Sequence, residues 1–279
     1  MNLNDIRGED NNFLILKDED GLPCLTEGVQ DYTLIRYKIY KIIFSTWTSW
    51  WMNRTRWLGY LDLTAGPGYS QTKKLIRAKK QVGASPIIAI ETSPPFTQFI
   101  FIEKNPDYCN ALRKRISNKP NCIVCQGDAN NLIDSALLEV QGHCLACIDP
   151  FKPSDIAWRT VSKLLQEKFC DIVGVLPAPL VQRSVGRFSN REYIESLHKH
   201  MPPPFSLKEA KKFSKGFLEY CRHVYTDFIE KEFERHVFTH YLRDAKYQVL
   251  FATTDRELKE KIKVQIKSFF KLEGKLNEC

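Results

Sequence analysis

Tyr60-Leu61-Asp62-Leu63-Thr64-Ala65-Gly66-Pro67-Gly68-Tyr69 decides how the chain is read. An apolar run ends in an acid and then in a short turn with two glycines one residue apart. Glycines at such a turn let the backbone approach a ligand closely, and the acidic side chain can accept a hydrogen bond from it. The stretch has the form of a nucleotide-binding strand-to-helix turn. A dinucleotide fingerprint would place a third glycine at position 71, which is Gln71. Here the acid at 62 is followed by Thr64, Gly66 and Gly68 at steps of two. A tight turn with no ligand has the same local sequence, so the later strands decide.

Working outward, residues 30–53 hold Leu34, Ile35, Ile39, Ile42, Ile43 and Trp47 at helix spacing, and the first strand follows over 57–63. Apolar runs at 97–102, 122–125, 143–148 and 171–176 predict four more strands. Helical patterns over 106–116, 131–140 and 155–166 alternate with them, the last capped by Ser154 or Asp155. Such alternation predicts an α/β fold with a mostly parallel central sheet and helices on both faces. Ser85 before Pro86 suits the N-cap of a short helix. The pattern breaks at Met201-Pro202-Pro203-Pro204, with helical sequence on either side, so residues 189–236 read as a helical insertion. Strands at 237–242 and 247–253 then form a hairpin before a basic helix over 255–272. Residues 1–29 read as a loosely packed N-terminal arm, and 30–279 as one domain carrying the insertion.

Composition narrows the class. Hydrophobic residues make up 43% and charged residues 27% of the 279, an ordinary globular balance. The apolar runs are too short to span a bilayer and the first residues, MNLNDIRGEDNN, are not signal-like, so a cytoplasmic protein is expected, with no membrane partner. With 41 basic and 33 acidic side chains the net charge is +8, compatible with a nucleic-acid partner. Lys73, Lys74, Arg77, Lys79 and Lys80 read equally as a solvated face or as a phosphate-contacting rim beside the glycine turn.

Ligands of an open parallel sheet sit beyond the carboxyl ends of its strands. Four successive strands end in an acid: Asp62, Glu103, Asp128 and Asp149. Carboxylates gathered on one edge repel unless a ligand uses them. The spacing of Asp62, Thr64, Gly66 and Gly68 resembles motif I of the S-adenosylmethionine (SAM) dependent methyltransferases, in the variant whose first glycine is replaced. On that resemblance Asp62, with the backbone of Thr64, Ala65, Gly66 and Gly68, would hold the amino-acid end of SAM. Glu103 would take both ribose hydroxyls, and Asp128, followed by Ala129, would accept from the adenine amino group. Asp149-Pro150-Phe151 is close to the (Asp/Asn)-Pro-Pro-(Tyr/Phe) motif of enzymes that methylate exocyclic amino groups of bases. It lacks one proline. In those enzymes the polar side chain accepts from the target amine and the ring stacks on the flipped base. Asp149, Pro150 and Phe151 are thus the candidate catalytic residues. A helix cap and a core residue are the plainer roles for Asp149 and Phe151.

The succession of 62–68 (DLTAGPG), 83–91 (GASPIIAIE), 101–106 (FIEKNP), 127–130 (GDAN), 148–151 (IDPF) and 247–253 (YQVLFAT) resembles the three-Cys-motif partner family, proteins with a Rossmann-like class I methyltransferase fold. The resemblance spans roughly residues 30–270 and implies SAM binding and methyl transfer. That family usually has Phe where Thr64 stands and Gly where Lys152 stands. A rival reading from a different class is a non-catalytic methyltransferase-fold module that binds a protein partner or nucleic acid.

Metal binding is the reading to reject. Cys122-x2-Cys125 and Cys144-x2-Cys147, 18 residues apart, match a four-cysteine zinc spacing. Both pairs lie in strand-like sequence, where residues three apart point to opposite faces and cannot converge on one ion. His198 and His200, and His236 and His240 on a candidate helix end, give weak pairs at best.

Overall fold

The computed structural model describes residues 13–17, 23–27, 32–71, 81–150, 155–176, 199–212, 216–242 and 247–272. In chain order the elements are β1 (Phe13–Lys17), β2 (Pro23–Glu27), α1 (Tyr32–Trp51), β3 (Leu58–Asp62), β4 (Tyr69–Gln71), β5 (Val82–Gly83) and α2 (Ser85–Ile90). There follow β6 (Gln98–Glu103), α3 (Pro106–Arg115), β7 (Cys122–Gln126), α4 (Ala129–Glu139), β8 (His143–Ile148), α5 (Trp158–Gln166) and β9 (Cys170–Leu176). The last are α6 (Leu207–Lys212), α7 (Phe217–Phe233), β10 (His236–Leu242), β11 (Tyr247–Thr253) and α8 (Arg256–Leu272).

Seven strands form the main sheet in the order β10-β11-β9-β8-β3-β6-β7. β7, β6, β3, β8 and β9 pair in parallel, and β11 enters antiparallel between β9 and β10. This is the Rossmann-like class I methyltransferase fold. Successive strand residues feed opposite layers, as the pleat requires. Tyr60, Phe99 and Phe101 face one core with α1, α2 and α8, whereas Leu61, Ile100 and Ile102 face the other with α4, α5 and α7. On α1 the buried Ile39, Tyr40, Ile43, Phe44 and Trp47 recur at one helical face, which is why a run read by its 3.6 period docks here. The helical segment between β9 and β10 is no detached lobe: Tyr220, Cys221, Tyr225 and Ile229 of α7 are buried in the second core.

Two local readings, on the arm and on the histidines, are corrected, while the strand placement of the cysteine pairs agrees with the sequence. The 1–29 arm carries the β1–β2 hairpin, and β2 pairs in parallel with β4, directly after the glycine turn. Cys122 and Cys125 lie on β7, and Cys144 and Cys147 on β8, with β3 and β6 between the two pairs. His236 and His240 sit on a strand, β10, and not on a helix end.

The chain passes from β3 outward to β6 and β7, then returns to β8 on the other side of β3. That reversal opens a crevice at the carboxyl ends of β3 and β8, the usual ligand position in such sheets. The adjoining β8–β9 contact is unusually close. A Cβ on Gly174 would stand 2.3 Å from the Ile148 carbonyl oxygen. Gly174→Ala is therefore expected to destabilise by about 3 kcal/mol, lowering Tm by roughly 6–12 °C. A calorimetric scan checks this, and an unchanged Tm would mean that the two strands separate at little cost.

Candidate functional site

The glycine turn is fastened from three sides. Gly66 has φ +64° and Gly68 φ +92°, the left-handed conformations for which glycine suits the turn. The Gly66 amide donates to Glu103 Oε2 at 2.7 Å, and the Ala65 amide donates to the Ile102 carbonyl at 3.0 Å. Arg115 reaches back from the end of α3 to the Pro67 carbonyl at 2.5 Å. Among the described residues the space above Gly66 is open: a Cβ there would meet nothing within 4 Å. Gly68 is close-packed instead, and a Cβ on it would stand 3.1 Å from the Leu112 side chain.

Asp62 closes β3 and is fully buried. Its carboxylate accepts from the Thr64 amide at 3.1 Å, from the Tyr60 hydroxyl at 3.0 Å and from the Ser85 side chain. Burial dominates and pushes the carboxyl up to about 7. The three hydrogen bonds oppose that rise and the charge of Asp149 adds to it. Ser85 is thus not the N-cap expected from its sequence position. Ala84 occupies the cap, and Ser85 begins α2 with its hydroxyl turned to the acid.

Glu103 ends β6, where its Oε1 accepts from the Asn105 amide at 2.7 Å while Oε2 holds Gly66. Burial raises its pKa against those backbone hydrogen bonds. The Lys104 amide is a third backbone donor to this carboxylate, and of its roughly four lone-pair sites about one is left for a ligand hydroxyl. Asp128 is the N-cap of α4, accepting from the Asn130 amide at 2.9 Å, and its Oδ2 lies 3.5 Å from Lys104 Nζ. Ala129 is buried as the first residue of that helix.

Asp149 follows β8. Its amide donates to Thr64 Oγ1 at 3.3 Å, which links the end of β8 to the glycine turn. Its Oδ1 lies 3.1 Å from Arg36 Nη1 on α1. The sequence reading missed Arg36, because Arg36-Tyr37-Lys38 looks like the solvated side of a helix. Pro150 is half-buried beside an apolar pocket that Ile148, Ile172, Val175 and Tyr225 help to line. Phe151 lies outside the described residues, as do Lys152 and the basic stretch 73–80.

Asn130 was missed as well. Its Oδ1 accepts from the Ala157 amide and from Thr160 Oγ1, both at 2.7 Å, and its Nδ2 donates to the Asp155 carbonyl at 2.9 Å. It ties the Asp128 turn to the segment that enters α5. Ala157, and not Asp155, caps that helix, and Ser154 lies outside the described residues. His200 is structural: its Nδ1 lies 2.7 Å from the Ile156 carbonyl oxygen.

Asp62, Thr64, Glu103 and Asp149 are therefore joined by hydrogen bonds and neighbouring charge around one crevice, with Asp128 at its β7 side. No family model and no curated protein matches the chain. Among solved structures, the Legionella pneumophila protein LPL1258 is similar with a TM-score of 0.51 at 14% identity, covering 86% of this chain and 93% of that one. The precorrin-6y C5,15-methyltransferase of Geobacter metallireducens is similar with a TM-score of 0.40 at 12% identity, over 85% of this chain and 96% of that one. The CurJ carbon methyltransferase gives 0.44 at 11% identity, over 77% and 54%. At 14% identity the likeness to LPL1258 speaks to the fold alone.

Proposed function

We propose that the protein is a SAM-dependent methyltransferase acting on an amino group of a nucleic acid or nucleotide-like acceptor. The observation that carries the cofactor half is Glu103, a buried carboxylate that pins the Gly66 amide while the space above Gly66 stays open. In this reading Asp62 faces the ligand ammonium, and the Thr64–Gly68 backbone lies along the amino-acid end. Glu103 takes a ribose hydroxyl. Asp128 accepts from the adenine amino group through Oδ2, with Ala129 against the ring. Bound SAM supplies a methyl group made electrophilic by the sulfonium.

The chain's own contribution is to orient an acceptor amine in line and to exclude water. Asp149, paired with Arg36, is placed to accept a hydrogen bond from that amine. Pro150 and Phe151 shape the acceptor side. The amino-group acceptor is supported by the Asp149-Pro150-Phe151 motif, and a nucleic-acid class by the net charge of +8. The resemblance to the three-Cys-motif partner family supports the same activity. The Arg36–Asp149 ion pair also favours a second reading, a non-catalytic module, because it already occupies one oxygen of the proposed amine acceptor.

Calorimetric titration with SAM and S-adenosylhomocysteine tests the cofactor half. Glu103→Ala is expected to weaken both ligands by roughly thirtyfold or more, about 2 kcal/mol, because it removes the ribose acceptor and frees the turn. Equal affinity in the variant would remove Glu103 from the site. Transfer from labelled SAM to RNA, DNA and protein fractions tests the other half. Transfer unchanged by Asp149→Ala and Phe151→Ala would sink the acceptor assignment, and binding without transfer would select the module.

A further inference from the structure

A buried donor that meets no acceptor loses its hydration without return, so such groups are rare and point to a missing partner. Tyr40 is one. It is fully buried on α1, and among the described residues its hydroxyl oxygen has no hydrogen-bond partner in full hydrogen-bonding geometry. The Asp149 carboxylate is the neighbouring acceptor and acts on the phenol by its charge and by a loose side-chain hydrogen bond, but it does not reach the geometry of a full one. Arg36 stands one helical turn earlier and projects on the same side of α1, as residues four apart do. Arg36 is 8% exposed, and its Nη1 lies 3.1 Å from Asp149 Oδ1.

The local charge decides what would complete this cluster. Asp62 and Asp149 are two acids within each other's field, and Arg36 is a single cation beside one of them. A lone anion entering there would be repelled, and a lone cation would leave the Tyr40 hydroxyl without an acceptor. A dipolar amino-acid group satisfies both: its ammonium faces the acids, and its carboxylate faces the donors of α1. We propose that the Tyr40 hydroxyl donates to the carboxylate of the cofactor's amino-acid end, with Arg36 as the charged partner in the same subsite. This rests on the SAM reading above and assigns α1 a role in recognising the ligand that its helical pattern alone did not reveal.

Tyr40→Phe removes that one oxygen and keeps the ring that stacks on Phe44. The wild type and the variant are titrated with S-adenosylhomocysteine and with its decarboxylated analogue, which keeps the amine. The variant is expected to bind S-adenosylhomocysteine about tenfold more weakly and the decarboxylated analogue within about twofold of wild type. Its Tm should equal or exceed that of the wild type. Equal weakening toward both ligands, no weakening toward either, or a fall in Tm would overturn the proposal. Wild-type protein that binds neither ligand would overturn the SAM reading itself, whereas a variant that binds like a competent wild type overturns only the role of Tyr40.

Discussion

Asp171→Ala is expected to lower the free energy of unfolding by about 3–5 kcal/mol, because it removes the anion from a buried polar network. Asp171 is the second residue of β9 and is fully enclosed. Its Oδ2 accepts from Trp47 Nε1 at 2.8 Å and lies 3.2 Å from His143 Nε2. Its Oδ1 accepts from the Thr254 amide at 3.3 Å and lies 3.8 Å from Arg235 Nη1. Arg235 is only 2% exposed, and its other donors go to the carbonyls of Leu165, Glu167 and Cys170. Burial lowers its pKa and the charge of Asp171 opposes that, so deleting the acid leaves a cation held by dipoles alone. Asp171→Asn keeps the shape and one acceptor and should cost roughly half as much. Combining Asp171→Leu with Arg235→Leu should cost less than the sum of the single changes, since neither charge is then stranded. Urea unfolding measures all of these. A loss below about 1 kcal/mol for Asp171→Ala would mean that the carboxylate does not anchor the network. The network lies at the amino ends of β8 and β9, across the sheet from the candidate site. The folded variant should therefore bind S-adenosylhomocysteine within about twofold of wild type.

The main sheet was legible because each strand is an apolar run closed by an acid or a turn, and each helix has its own period. Asp62, Glu103 and Asp149 were legible for the same reason: strand ends in such a sheet share one edge. What escaped the sequence depends on contacts between distant segments. Tyr69-Ser70-Gln71 shows no alternation that would mark it as a strand, yet β4 pairs with β2, far earlier in the chain. Ser85 has the look of a helix cap, and only the folded chain turns its hydroxyl to Asp62. Arg36 and Tyr40 sit in a helix whose apolar period absorbs attention, and Asp171 reads as an ordinary strand start. Asn130 follows an expected site residue, but its side chain meets Asp155, Ala157 and Thr160, which lie 25 to 30 positions later. Polar residues buried by tertiary contact leave no periodic signal, which is why the supporting network was found after its acids.

Ligand binding should weaken as pH falls through about 7, and Asp62 is the reason. Burial holds its carboxyl near 7, far above the usual carboxylate range, despite hydrogen bonds from Ser85, Thr64 and Tyr60. Between about pH 4 and 7 the folded chain keeps a proton on Asp62 that the unfolded chain releases. Stability from this group is therefore greatest in acid and falls by about 4 kcal/mol as pH rises through that window, staying flat above it. Binding runs the other way. A ligand ammonium needs the ionised carboxylate, so S-adenosylhomocysteine affinity should be flat above about pH 8 and drop about tenfold per unit below pH 7. Binding near pH 6 should release about one proton, read by calorimetry in two buffers of different ionisation heat. Asp62→Asn should lose about a hundredfold in affinity at pH 8 and most of the slope, since an amide cannot ionise. Glu103, whose pKa burial also raises, would carry any slope that persists in that variant. A wild-type profile flat from pH 6 to 8 would place the ammonium away from Asp62, leaving the buried acid to serve only the turn that Thr64 and Tyr60 build around it.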